Sequence, residues 1–380
     1  MNGFNWSLLI LLPLALSACA HGGAKSSTRE IVGDGYELTL RTEAESVPGT
    51  FFLGLVNGQT LTQLPITSHL LALGSDGRIE FQRSFVDEID HRVPVNFRAL
   101  SRGGYAYLHG LLQGLYLESP FHLLDAKFRD WYPQTFPNRD RELDGHEFVE
   151  VGDGNFYFVF ARKRLGELAL EAEIQRWDSK GRITFVWSAR DRKKISSAEV
   201  SKVGADILAI NSLHLLESGN LLVGFRELNE IAEIEVPSGK ILWILNKGTW
   251  KFVDDPFGGF AFQHCVRRLP NGNIILFDNG DGKRPARAVE YRLDAPNRTA
   301  TMVWEHRFTH VVPEGWIGGS VQRLSNGNTL IGWGGPIDRT NQMKPRPLFT
   351  EVGSSGNVVR ELSSKAPLVS YEVSFKESKP

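Results

Sequence analysis

Two histidines occupy matching places in this chain. His146 lies eight residues before Gly154, and His264 eight before Gly272, each glycine closing a tight polar turn. The same count back from Gly104, Gly219 and Gly327 reaches Asn96, Asn211 and Gly319. Four of these five residues carry hydrogen-bonding side chains where a purely structural strand would prefer Val or Ile. A neutral imidazole is both nucleophile and proton acceptor near working pH, and a primary amide adds neutral donors. If the five positions converge on one concave axis, they form a site for nucleophilic or acid–base chemistry. Spacing alone leaves a second reading equally open, a polar tunnel that only holds water.

The elements that would position these residues are short alternating strands punctuated by Gly and Asn, with no long amphipathic helix. Two hairpin types alternate. One sets a polar turn before an apolar strand, as in Asn271-Gly-Asn273 before Ile274-Ile-Leu-Phe277 and Asn326-Gly-Asn328 before Thr329-Leu-Ile331. The other is an apolar strand, a turn and a strand often ending in tryptophan, as in Glu173 to Trp187 and Ile231 to Trp243; Phe121 to Trp131 is the weakest of six such stretches. Turn glycines of the first type fall at intervals of 50 to 65 residues. Two hairpins make a four-stranded sheet, and such sheets repeated radially make a β-propeller. The pattern predicts an all-β, six-bladed β-propeller of four-stranded antiparallel blades, a single domain over 36–377. The stretches near Tyr36–Leu55 and Pro367–Phe375 are expected to close the ring. In a propeller the innermost strands line the central tunnel, which places Asn96, His146, Asn211, His264 and Gly319 in one layer.

The N-terminus reads differently. Leu8–Leu16 is apolar but too short to span a bilayer, and Leu16-Ser17-Ala18-Cys19 follows it. This looks like a lipoprotein signal over 1–18 with lipidation at Cys19, although Met1–Ser7 lacks Lys and Arg. Residues 19–35 are expected to be the lipidated cysteine and a flexible tether. The protein is then expected in the bacterial cell envelope, held by the lipid anchor alone and facing the periplasm from the outer membrane. Cys265 is the only other cysteine, so with Cys19 lipidated no intrachain disulfide is expected to hold the core. Lys and Arg number 43 against 44 Asp and Glu, interspersed, and no basic stripe suggests nucleic acid. His146 and His264 lack an accompanying HxH or Cys–His pair, so no metal is expected. Asp278-Asn-Gly-Asp-Gly282 lacks the carboxylate spacing of an EF-hand and reads as a tight loop at the tunnel mouth.

At these residues the chain resembles the aryl-sulfate sulfotransferases, six-bladed propellers that move sulfuryl groups between phenols without a nucleotide donor. The resemblance rests on Gln263-His264 with Phe277–Gly282 and Arg287–Tyr291, on Asp144–Phe148, on Asp206–Ser212 with Leu221–Arg226, and on Gly319–Gly327 with Ile331–Gly334. It implies that His264 is the nucleophile, forming a sulfohistidine, with His146, Arg226 and Asn211 as catalytic partners. It also implies Asn96, Gln263 and Ser320 around the substrate, an aryl sulfate donor, a phenolic acceptor and no cofactor. One departure stands out: the family carries His-x-Asn-Ser where this chain reads Ala209-Ile-Asn-Ser212. A donor or acid–base group at that place is worth about 10²–10⁴ in rate, and His214 is the nearest candidate to replace it. The alternative function is a non-catalytic envelope propeller that binds a protein or glycan.

Overall fold

The computed structural model describes residues 26–58, 64–89, 92–111, 121–131, 142–152, 154–162, 171–189, 209–309, 316–336 and 346–378. Residues 1–18, expected to be a signal segment, and Cys19 lie outside them. Six antiparallel sheets stand around a central axis as six blades, most of them four-stranded.

The first blade is closed by the two ends of the fold. Its innermost strand is Leu368–Glu377, paired antiparallel with Gly49–Asn57, followed outward by Ile66–Gly74 and Ile79–Asp87. The second has Arg92–Ala99, Tyr105–Leu111 and Phe121–Leu124, with Leu124 bridging back to Asp130. The third runs Glu142–Gly152, Asn155–Arg162, Glu171–Trp177, Ile183–Ser188, and the fourth Ile210–Leu215, Leu221–Phe225, Glu230–Ile234, Ile241–Leu245. The fifth, from His264–Arg268 through Ile274–Asp278 and Arg287–Asp294 to Thr299–Arg307, gains a fifth strand, Lys251–Val253, in parallel pairing. The last begins with Ser320–Arg323 and Thr329–Gly332 and continues through Pro347–Val352 and Val358–Ser364.

Residues 19–35 are not all tether. Ser27–Val32 pairs with Glu37–Thr42, and this hairpin extends the outer edge of the last blade to six strands. The Ser- and charge-rich sequence hid the strand because only Ile31 of its six residues is buried. An edge strand needs little apolar surface when its backbone hydrogen bonds are supplied by a neighbour.

The turn glycines Gly104, Gly154, Gly219, Gly272 and Gly327 all have φ between 77° and 86°. That left-handed conformation is where glycine is nearly free of strain and other residues are not. Between the blades lie six apolar clusters. Phe51, Leu53, Phe349 and Leu362 join the last blade to the first; Ile275, Phe277, Val321 and Trp333 join the fifth to the last. Each buried side chain of this size contributes about 1.5–3 kcal/mol of transfer free energy. The blades are therefore held by face-to-face packing, with no disulfide among the described residues: Cys265 is a free, buried thiol.

Candidate active site

The five positions counted from the turn glycines form one layer, because equivalent residues bridge consecutive blades. Ser212 Oγ accepts from the Val266 amide at 2.7 Å, Cys265 Sγ from Val321 at 3.3 Å, and Ser320 Oγ from Val373 at 2.9 Å. These partners lie 54, 56 and 53 residues apart. The residue two before each valine is the layer position of its blade: His264, Gly319 and, on the closing strand, Tyr371. Tyr371 was missed because that strand ends the fold and no turn glycine follows it. One further step of the repeat beyond Gly319 would have found it.

Nearly every layer residue sits in a β-bulge. The inner-strand register slips between Val95 and Arg98, His264 and Arg267, and Ser370 and Val373; it also slips between Ile210 and Ser212 and around Asp144–Glu147. Asn96, Phe262 and Cys265 have φ near 50°. Bulges and left-handed non-glycine residues re-aim side chains and cost about 1–3 kcal/mol each when strained.

His264 is 2% exposed. Its Nδ1 lies 2.7 Å from Asn279 Oδ1 and 3.1 Å from the Phe262 carbonyl oxygen, both acceptors. Nδ1 must therefore carry the proton, which leaves the Nε2 lone pair free. Asn279 is locked in turn, since its Nδ2 donates to the Gly318 carbonyl at 2.8 Å. Its neighbour Asp278 accepts from the Ala261 amide at 2.9 Å and from Arg287 Nε at 2.9 Å. Arg287 is fully buried and also pairs with Asp255 and Glu305. The Asp278–Gly282 segment is thus the brace behind His264. Burial first, then the Arg226 guanidinium and His146, push the His264 pKa down to about 3. The ring is neutral across the physiological range.

His146 donates from Nδ1 to the Asp144 carboxylate, whose Oδ1 also accepts the His146 backbone N–H at 2.8 Å. Asp144 holds the ring in one tautomer and stabilises its imidazolium whenever Nε2 takes a proton, as in a carboxylate–histidine pair of a triad. Arg226 projects from the end of Leu221–Phe225, ion-paired with Glu227 and stacked 4.8 Å from the Phe262 ring centre. The Tyr371 ring lies 5.9 Å from His264 and 6.0 Å from His146, steeply inclined to both. His264, His146, Arg226 and Tyr371 are thus brought together at one level.

The remaining predicted residues tie blades to one another. Asn211 Nδ2 donates to the Gln263 carbonyl at 2.6 Å, and Asn96 Nδ2 to the carbonyls of Gly145 and His146 at 2.8 and 2.9 Å. Gln263 Nε2 donates to the carbonyls of Phe225 and Glu230, and Ser320 Oγ bonds both the amide and the carbonyl of Val373. Asn96 and Asn211 thus fix the backbone at the two histidines. The side-chain oxygens of Asn96, Asn211 and Gln263 are buried without a protein partner among the described residues. Ala209 is buried at the start of its blade. His214 does not stand in for the missing histidine. It lines a cavity of about 820 Å³ with Arg267, Leu269 and Ser325 on the turn side of the tunnel.

Between this cavity and the histidine layer lies a buried charge cluster. Glu147, fully buried, bonds Arg98 at 2.8 Å and Arg267 at 2.9 Å, and Arg98 also reaches Glu372 at 3.0 Å. Arg98 and Arg267 hold the Glu147 carboxyl below its ordinary value against the cost of burial. Burial and the charge of Glu147 push Glu372 up to about 7. The cluster sets two arginines against two carboxylates.

Comparison with known proteins bears on the middle of the chain. Residues 168–340 match the arylsulfotransferase (ASST) family. The arylsulfotransferase resemblance read from the sequence is borne out over this stretch, which holds Asn211, Arg226, Gln263, His264, Asn279 and Ser320; His146 and Tyr371 lie outside it. No curated protein matches the chain. Among solved structures, a protein of unknown function from Bacteroides caccae aligns at 14% identity and TM-score 0.58, over 87% of this chain and all of that one. It shares the fold. A nidogen/laminin complex (10% identity, 87% and 100% covered, TM-score 0.48) and virginiamycin B lyase from Staphylococcus aureus (11%, 89% and 99%, TM-score 0.40) are more distant.

Proposed function

We propose that the protein is a nucleotide-independent arylsulfotransferase that moves a sulfuryl group from an aryl sulfate to a phenol through a sulfohistidine on His264. The observation that carries this reading is the pinned, neutral His264, with its Nδ1 proton shared between two acceptors and Nε2 open. The Nε2 lone pair attacks sulfur, the S–O(aryl) bond breaks, and its electron pair leaves on the phenolate. Nδ1–H stays bonded to Asn279 and Phe262, so the sulfated ring carries positive charge and is a good leaving group for the second step. The acceptor oxygen then attacks sulfur, the N–S bond breaks, and the acceptor proton passes to His146 Nε2, with Asp144 stabilising the imidazolium. Arg226 supplies a cationic fork for the sulfuryl oxygens, preorganised by Glu227 and Phe262. The chain is carried on the envelope by a lipid on Cys19; metabolic labelling with a fatty acid that persists in Cys19→Ser would exclude the anchor.

Transfer from p-nitrophenyl sulfate to a panel of phenols tests the reading. Acceptor-dependent release of p-nitrophenol, abolished in His264→Ala, supports it. A folded protein with no release for any acceptor favours a non-catalytic binding propeller.

A further inference from the structure

Tyr371 is the sixth member of the layer, and the fold makes room for it. Gly319, its neighbour in the ring, donates its backbone N–H to the Tyr371 carbonyl at 2.8 Å. A Cβ on Gly318 would stand 2.4 Å from that carbonyl oxygen and 3.0 Å from the tyrosine ring, so any side chain there would displace the phenol. The ring is wedged against both histidines. Its hydroxyl is shielded from solvent and has no hydrogen-bond partner among the described residues. A buried hydroxyl left unpaired costs about 1–3 kcal/mol, a cost that a structural tyrosine would avoid by being phenylalanine.

We propose that the Tyr371 hydroxyl donates a hydrogen bond to an oxygen of the sulfuryl group held at His264, supplying in this chain a donor from the closing strand where the family's histidine is replaced by Ala209. The inference takes its ligand from the sulfuryl-transfer reading above. Burial first, then the carboxylates of Glu372, Asp144 and Glu147, push the phenol pKa well above its ordinary value of 10. The group stays protonated, so it serves as a donor and not as a base. Arg226, whose charge reaches both Tyr371 and His264, completes the cradle for the anionic oxygens.

The test is Tyr371→Phe, which keeps the ring between the histidines and removes only the oxygen. Two readouts are measured on the full chain: kcat/KM for aryl sulfates of graded leaving-group acidity, and the Kd of inorganic sulfate by calorimetry. Loss of one preorganised donor is expected to lower kcat/KM about 10²–10³-fold, by a similar factor for every leaving group. Sulfate affinity is expected to fall about tenfold or more, as for one hydrogen bond to a charged group. Wild-type turnover with an unchanged variant overturns the tyrosine's role alone. If the wild type is inactive toward aryl sulfates yet the variant loses sulfate affinity, the anion site stands and the transferase reading falls. Equal sulfate affinity in both proteins, or no sulfate binding in either, overturns the inference. Tyr371→Leu serves as a packing control, and matching its losses to those of Tyr371→Phe assigns them to the hydroxyl.

Discussion

Replacing Asn279 by aspartate tests the proposed role of His264 as nucleophile apart from its mere presence. In the native site Nδ1–H faces two neutral acceptors, and the ring pKa is pushed down to about 3. A carboxylate at residue 279 places an opposite charge at hydrogen-bond distance from the imidazole. Such a neighbour raises a histidine pKa by about 1–3 units, which brings the apparent value of the coupled Asp–His pair to about 4–6. The same change removes the donor to the Gly318 carbonyl, at a stability cost of about 1–3 kcal/mol. The assay is the rate of the first half-reaction against pH, read as the p-nitrophenol burst after quenching into alkali. Its leaving phenolate is stable as the anion, so His146 is not needed as an acid in this step. Wild type should keep its burst rate down to about pH 4, because His264 remains unprotonated. Asn279→Asp should show a new acid limb between about pH 4 and 6. A variant whose burst profile coincides with wild type would refute the argument that Asn279 sets the protonation of the nucleophile.

Two further perturbations follow. Arg226→Lys keeps the charge near His264 but loses the planar fork and its stacking on Phe262, so kcat/KM should fall about 10²–10³-fold with the fold intact by circular dichroism. Glu372 has its folded pKa raised to about 7, so the native state binds a proton the unfolded chain releases near the ordinary carboxyl value of 4.5. Its ionisation therefore destabilises the fold progressively from pH 4.5 to about 7. Urea denaturation of Glu372→Gln should show a flatter loss of stability across that window than wild type; an unchanged slope would mean the carboxyl is not buried beside Glu147.

Much of the fold was legible because the repeat is enforced by turn chemistry. Each inner hairpin needs a left-handed residue, so glycines mark the blades at Gly104, Gly154, Gly219, Gly272 and Gly327, and a fixed count back from them finds the tunnel layer. The count failed only where the hairpin is absent, at Tyr371, whose strand pairs with one from the other end of the fold. The bulges at the layer left no sequence signal, because a slip in register looks the same as a regular strand until the partner strand is known. Asn211, read as a catalytic partner, and Asn96, read as a substrate ligand, each also bond the backbone of the neighbouring blade through their amides, which position along the strand alone does not reveal. Asn279 lay inside a segment read as a mouth loop; its role emerges only when the blade fold carries it back against His264. His214 shows the limit of proximity in sequence, since three residues of strand carry it past the Glu147 cluster to the opposite cavity.

The central claim, that His264 carries the sulfuryl group, is tested most directly by mixing the protein with p-nitrophenyl sulfate in the absence of acceptor and mapping the trapped adduct by mass spectrometry under alkaline conditions. The account predicts one equivalent of p-nitrophenol per chain, a sulfuryl group on the peptide bearing His264, and its discharge when a phenol is added. A burst that survives in His264→Ala, or an adduct on any other residue, would contradict it.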